Sequence, residues 1–381
     1  MPMQFGLTDE QRSIQDVARR FTAQSITPNA SLWDEQCLFP RATVKAAADL
    51  GLAAICVSPE NGGTGLGRLE SALIMEAMAH GCPSTSAFLS IHNMAAWMLD
   101  RFGSPALAAK YLPAMVAGEK LASYCLTEPG SGSDAAALKT RATRQGDVYI
   151  VTGTKAFISG GGENELYLTM VRTGAEGPKG ISCLVIEKEM AGVTFGAQER
   201  KLGWHSQPTA QVNFDSVRVP AENLLGAEGD GFRIAMQGLD GGRINIAACS
   251  LGGAQRCLDE TVAYTGARHQ FGQALADFQA TRFTLADMET SLQASRALLY
   301  MAADKVTAAA PDATRFSAMA KRFVTDTCMQ VADRALQLHG GYGYLRDFPI
   351  ERIYRDLRVH SILEGTNEIM RVIIARDMLR Q

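Results

Sequence analysis

Between Pro220 and Pro311 the chain contains no proline, and through most of that length apolar residues return at helical spacing. Proline inside a helix removes a hydrogen bond and collides with the preceding turn, at a cost of roughly 3 kcal/mol. Its absence over so long a run permits helices well beyond the usual three turns. Leu251, Ala254, Leu258 and Val262 make one stripe, and Leu285, Met288, Leu292 and Leu299 a second. Beyond Pro311, Phe316, Met319, Ala320 and Phe323 make a third. Stripes of this kind are satisfied by packing against one another, so 229–381 is expected to form an antiparallel four-helix bundle.

The other end of the chain is also helical, but in shorter pieces. Thr8 with Gln11 three residues on has the form of a capping box, and Ile14, Val17 and Phe21 follow at helical spacing. Pro40 opens a second helix that Gly51 closes. Further helices are expected at about 68–80, 84–102 and 105–117, punctuated by Gly81-Cys82-Pro83 and Gly103-Ser104-Pro105. Gly62 to Gly67 contains a G-x-G-x-G pattern, but no strand–helix–strand unit accompanies it and it reads as a loop. Near residue 121 the period changes to short alternation, as in Val148-Tyr149-Ile150-Val151, Leu166-Tyr167-Leu168, Ile181 to Val185 and Val212-Asn213-Phe214. At 381 residues the chain exceeds what one core fills. The expected architecture is α+β, mainly α: a helical domain at 1–120, a β-barrel-like domain at 121–228 and the bundle at 229–381.

Charge and cysteine usage exclude several classes of function. A net charge of −3 gives no electrostatic footprint for nucleic acid or for an anionic membrane, so any phosphate must be held by a few placed groups. Eight scattered cysteines, with no C-x-x-C pair and no histidine cluster, argue against a disulfide framework and against a metal site. No apolar run approaches the ~20 residues of a membrane span, and Met1 leads into a helix signal with no targeting segment. The expected location is therefore cytoplasmic, or the mitochondrial matrix if a transit peptide has been removed.

Three stretches carry chemistry. In Ile362-Leu363-Glu364-Gly365-Thr366-Asn367-Glu368 a carboxylate sits between an apolar pair and a helix start. Gly365 permits close approach of a substrate, and Thr366 or Asn367 can cap the helix. Such a segment is either a capped turn with a solvated glutamate or a base beside a ligand. Tyr124-Cys125-Leu126-Thr127-Glu128-Pro129-Gly130-Ser131-Gly132-Ser133-Asp134 can turn N–H groups and hydroxyls toward a pyrophosphate or a polar ring edge, though a serine-glycine loop can equally be only a loop. Lys155-Ala156-Phe157-Ile158-Ser159, followed by three glycines, places an aromatic ring and a hydroxyl beside a flexible turn, where a planar cofactor could stack. An ordinary strand end would look the same.

Together these motifs resemble the acyl-CoA dehydrogenase family, FAD enzymes that introduce an α,β double bond into acyl-CoA thioesters. Leu239-Asp240-Gly241-Gly242-Arg243, Arg268-His269-Gln270-Phe271-Gly272, Gln337 to Gly343 and Tyr354-Arg355-Asp356 fit as well, in the right order along essentially the whole chain. Within the family, Ser90-Ile91-His92-Asn93-Met94, the Gly241 to Ala247 stretch and His339 to Leu345 look most like the branch acting on a short branched thioester, isobutyryl-CoA. Straight short-chain or 2-methylbutyryl-CoA dehydrogenation is the alternative. An oxygen-using oxidase and a silent scaffold fit less well.

The resemblance implies roles position by position. Tyr124, Cys125, Leu126, Thr127, Gly132 and Ser133 would line the flavin and its phosphates, Ser133 also approaching the CoA. Phe157, Ile158 and Ser159 would flank the isoalloxazine, with the Ser159 hydroxyl near N5; many members carry Trp and Thr in place of Phe157 and Ser159. Arg268, Phe271, Gln279, Gln337, Gly340 and Gly341 would reach the ADP half of an FAD held mainly by a neighbouring subunit, which implies a homotetramer or at least a dimer. Thr366, Asn367 and Glu368 would touch the chain's own FAD, while Asp240, Arg243 and Gly365 would meet the substrate. Glu364 would be the catalytic base, because members that place the base just before the position of Arg243 have an acid where this chain has Gly242. The expected electron acceptor is an electron-transferring flavoprotein.

Overall fold

The computed structural model describes residues 6–379. Helix α1 (Asp9–Phe21) opens with the reciprocal cap: the Thr8 hydroxyl accepts from the Gln11 N–H while the Gln11 side chain accepts from the Thr8 N–H. Helices α2 (Ala30–Glu35) and α3 (Arg41–Asp49) follow. The six-residue α2 is too short to show a period in sequence. Gly62 to Gly67 is a loop ahead of α4 (Arg68–Ala79), with no strand before it. Helices α5 (Pro83–Phe102) and α6 (Pro105–Val116) each begin on a proline, whose missing N–H costs nothing at that position.

The sheet comes next: β1 (Ala122–Cys125), β2 (Arg141–Gln145), β3 (Val148–Ser159), β4 (Leu166–Arg172), β5 (Ile181–Glu187), β6 (Val193–Phe195), β7 (Thr209–Pro220) and β8 (Leu224–Leu225). Its strands run in the order β6-β7-β3-β2-β4-β5-β8, and β1 adds in parallel along the first residues of β4. The antiparallel β3–β7 ladder slips register between Lys155 and Ile158. That irregularity decides which side chain the strand end shows to solvent.

Helix α7 (Gly231–Ala267) spans 37 residues and packs against α4 and α5 on the N-terminal side and α8 (Gln279–Thr307) and α9 (Ala313–His339) on the other. The single stripe expected for it is too narrow, since every residue from Gly241 to Ala254 is buried. A helix enclosed by two helical layers has no polar face along its middle. Gly252 allows the approach, because a Cβ there would stand 2.1 Å from the main-chain oxygen of Glu76 on α4. Toward its end the reverse holds: Val262 is 53% exposed, as Phe323 on α9 is 37% exposed, so both stripes run past the core of this chain. A hairpin, β9 (His269–Gln270) with β10 (Gln273–Ala274), connects α7 to α8. Helices α10 (Pro349–Leu357) and α11 (Asn367–Met378) pack on α9 and complete the bundle. All eight cysteines are free thiols. Among the described residues no helix is long and apolar enough to cross a membrane, and no cluster of side chains suits a metal ion.

Candidate active site

Glu364 lies in the turn between α10 and α11 in the left-handed region, φ 54°, followed by Gly365 at φ 89°. A non-glycine residue there is strained by about 1–3 kcal/mol, and the surroundings hold it. Thr366 caps α11 by accepting from the Ile369 N–H at 3.3 Å. Arg243 of α7, 3% exposed, donates from Nε to the Glu364 main-chain oxygen at 3.3 Å and from Nη1 to Asp240 at 2.9 Å. Asp240 in turn accepts from the Thr314 hydroxyl at 2.6 Å. Lys321 of α9 donates to the Gly365 oxygen and to Asn367 Oδ1, both at 2.8 Å. The Asn367 amide continues to Thr325 and Asp326. Two cations thus clamp the main chain of one turn.

The Glu364 carboxylate points inward, and its Oε2 is enclosed without a hydrogen-bond partner. Burial pushes its pKa up to about 7, against the lowering influence of Lys321 and Arg243. Lys321 moves the other way, to about 8, chiefly through burial, with Glu364 opposing. A Cβ on Gly242 would stand 2.5 Å from Glu364 Oε2 and 3.1 Å from Met94 Sδ. The carboxylate therefore occupies the space that only a glycine at 242 leaves open. Met94, 2% exposed, also approaches Gly238, whose Cβ would lie 3.5 Å from Met94 Cγ. Among the three apolar residues of α5 at helical spacing, Met94 is the one beside the carboxylate. Trp97 stacks under the Arg68 guanidinium at 4.7 Å, and Ile91 is half-buried. The Glu364 N–H makes no hydrogen bond among the described residues and remains a free donor.

A second group is fastened by a buried ion pair. Lys155 Nζ on β3, fully buried, donates to Glu128 at 2.8 Å and to the Leu126 oxygen at 3.0 Å. Glu128 also accepts from the N–H groups of Lys139 and Thr140, at 2.6 and 2.9 Å. With the Ala156 N–H on the Thr127 oxygen at 2.9 Å, these bonds tie the serine-glycine loop to the end of β3. The register slip then places Phe157 at φ 57°, with its ring 66% exposed between buried Ala156 and Ile158. A bulge re-aims one side chain without disturbing its neighbours. The N–H groups of Thr127, Gly132 and Ser133 have no partner among the described residues, and a Cβ on Gly132 would meet nothing within 4 Å. Tyr124 closes the gap toward α7, its hydroxyl donating to the Ala235 oxygen at 3.4 Å and held neutral by burial.

A third group stands apart. Arg268, Gln337, Gly340 and Gly341 line an open groove of about 630 Å³, with the Arg268 guanidinium 5.4 Å from the centre of the Tyr342 ring. Gln279 is exposed at the start of α8, and Phe271, 93% exposed at φ 53°, forms the tip of the β9–β10 hairpin. The helix from Arg243 to Arg268 rises roughly 37 Å, so this groove is remote from Glu364.

Comparison with known proteins identifies the family. Residues 8–119, 123–217 and 229–379 match the acyl-CoA dehydrogenase N-terminal, middle and C-terminal domains. The chain belongs to the acyl-CoA dehydrogenase family. Mitochondrial isobutyryl-CoA dehydrogenase of Dictyostelium discoideum is 54% identical over 98% of this chain and 90% of its own length. Butyryl-CoA dehydrogenase from Megasphaera elsdenii superimposes with a TM-score of 0.96 at 36% identity, covering 99% of this chain and all of the other. A chain in the structure described as the electron transferring flavoprotein of Acidaminococcus fermentans superimposes with a TM-score of 0.97 at 39% identity, with full coverage of both.

As a member of this family the protein is an FAD-dependent acyl-CoA dehydrogenase. The residues present suit FAD: an exposed ring at Phe157, unpartnered N–H donors in the serine-glycine loop, and the Arg268 groove. Several expected contacts take a different form. Cys125 and Ile158 turn their side chains into the sheet core, so only their main chains can face a ligand. The Asn367 amide is spent on Lys321, Thr325 and Asp326, which makes it a support for the turn. The Thr366 hydroxyl accepts as a helix cap and keeps its own proton to donate, whereas the Glu368 side chain is 80% exposed. Arg243 and Asp240 are already paired with each other. Lys321 was not among the expected residues; a lysine inside the apolar stripe of α9 was its only signal in sequence.

Proposed function

We propose that this acyl-CoA dehydrogenase acts on a short branched thioester, isobutyryl-CoA, with Glu364 as the base that removes the α proton. The observation that carries the reading is the enclosed Glu364 carboxylate, poised near neutral pH against Gly242 and Met94. Bound FAD supplies the acceptor for the β hydrogen, which leaves as a hydride while the α,β double bond forms. The free Glu364 N–H is suited to donate to the thioester oxygen as negative charge develops there. Arg243 and Lys321 hold that N–H and the carboxylate in one rigid turn, since both bind its main-chain oxygens. Phe157 and the loop from Leu126 to Ser133 are the proposed flavin contacts, and an electron-transferring flavoprotein the proposed acceptor. Met94 limits the depth beside the base, which supports a short acyl chain, as does the similarity to a relative named for isobutyryl-CoA. Anaerobic bleaching by a panel of acyl-CoAs tests the assignment. Isobutyryl-CoA should give the highest kcat/KM, and Met94→Ala should shift preference toward longer chains by up to ~0.8 kcal/mol per methylene. A maximum at octanoyl-CoA for the wild type would refute it.

A homotetramer is proposed with the same reading. The separation of the groove from the Glu364 turn, about 24 Å along α9 from Lys321 to Gln337, supports an FAD shared between subunits, its flavin on one chain and its ADP half on the next. Exposed Val262, Phe271, Phe283 and Phe323 on the bundle and its hairpin offer apolar surface for such contacts. Arg268→Ala is expected to weaken FAD retention and assembly together, because a guanidinium binds phosphate with fixed geometry. Size-exclusion chromatography with the ratio of flavin to protein absorbance reads both. Unchanged retention and assembly would remove the cross-subunit assignment.

A further inference from the structure

Ser159, the last residue of β3, is gripped by a segment that lies outside the motifs quoted above. Its main-chain oxygen accepts from the Ser123 hydroxyl at 2.6 Å, and the next residue, Gly160, donates its N–H to the Pro208 oxygen at 2.8 Å. Its Oγ accepts from Gln207 Nε2, also at 2.6 Å. Gln207 is 1% exposed and itself held: its main-chain oxygen accepts from Lys201 Nζ at 2.8 Å, and its N–H donates to the Trp204 oxygen at 3.1 Å. The other end of this short segment reaches the base-bearing part of the chain. The Trp204 N–H donates to Asp356 at 2.6 Å, and the Trp204 ring meets His360 edge-on, with ring centres 5.5 Å apart. His360 lies four residues before Glu364.

A serine hydroxyl left to itself samples three staggered positions and swings its proton freely. A donor aimed at one lone pair selects one position and leaves the proton of that hydroxyl to be given elsewhere. We propose that Gln207 is a positioning residue that orients the Ser159 hydroxyl, so that its proton is donated to the flavin edge. The assignment rests on the reading above that Ser159 faces the flavin. Gln207 touches neither substrate nor cofactor in this role and acts only through Ser159.

Three holoenzymes test it against wild type: Ser159→Ala, Gln207→Leu, and Gln207→Leu combined with Ser159→Thr. Each is read by the visible absorption spectrum of its flavin, its FAD dissociation constant and single-turnover flavin reduction, with melting temperature to register any general loosening. Ser159→Ala and Gln207→Leu should alter the spectrum in the same sense, weaken FAD binding and slow reduction up to about tenfold, the effect of one lost hydrogen bond. The threonine should restore most of the spectrum and rate in the Gln207→Leu background, because a β-branched side chain is stiff at χ1 without outside help. If Ser159→Ala leaves the spectrum unchanged, Ser159 does not face the flavin and the underlying reading fails. An altered spectrum in Ser159→Ala with wild-type behaviour in Gln207→Leu overturns the role of Gln207. So does a Gln207→Leu defect that threonine does not relieve, since it would then reflect packing alone.

Discussion

Glu364→Gln should leave a yellow, folded protein that binds isobutyryl-CoA and reduces its flavin at least ~100-fold more slowly, the lower range for loss of a general base. An amide keeps the shape of the turn and removes only the basicity. Anaerobic stopped-flow absorbance measures the rate, and near-normal reduction would move the base elsewhere. The wild-type pH profile belongs to the same argument. With a carboxyl pKa of about 7 in the free enzyme, kcat/KM should rise with pH below 7, tenfold per unit in the acid limit, and level above it. Lys321 lowers that pKa, so Lys321→Met should move the rising limb to higher pH. A limb that stays in place or moves down would show that the two groups are not coupled as their positions require.

Lys155→Met should destabilise the protein by about 3–5 kcal/mol, because it leaves Glu128 buried and ionised without its cation. The two N–H donors that Glu128 keeps place the expected loss toward the lower end of that range. Adding Glu128→Gln should recover part of it, since a neutral amide needs no counter-charge and its single oxygen can still accept from one of those two donors. Urea unfolding of the three variants measures the cycle, and a single-variant loss below ~1 kcal/mol would show the pair to be solvated. FAD retention should fall with stability, because the same pair fastens the serine-glycine loop to the strand bearing Phe157.

Much of this architecture was legible in the chain. Periods near 3.6 and 2 separate the helical and sheet portions, Pro83 and Pro105 mark the starts of α5 and α6, and the Thr8–Gln11 box marks the start of α1. These signals are local, so they survive without tertiary context. Helix α7 shows where that limit lies: its stripe was visible, but its burial on all sides depends on two layers of helices that no window of its own sequence contains. Among the proposed site residues, Glu364 and the loop from Leu126 to Ser133 stood out through glycine and turn chemistry. Lys321 and Gln207 did not, because each acts through a hydrogen bond to a residue more than forty positions away. Cys125 and Ile158 were read as ligand contacts because motif membership cannot say which way a side chain points; the pairing of β1 with β4 decides it for Cys125 and the β3 register slip for Ile158.

By itself the sequence determined which long segments are helix, which stretch of the chain is sheet, and which glutamate has a glycine beside it at a helix start. Tertiary structure alone decided the state of that glutamate. Its carboxyl is raised toward neutrality by the burial that α5, α7 and α9 impose, with Lys321 and Arg243 restraining the shift, and its place is left open by the missing side chain at Gly242. Desolvation and charge pairing depend on distances between groups remote in the chain, and those distances exist only once the helices have packed.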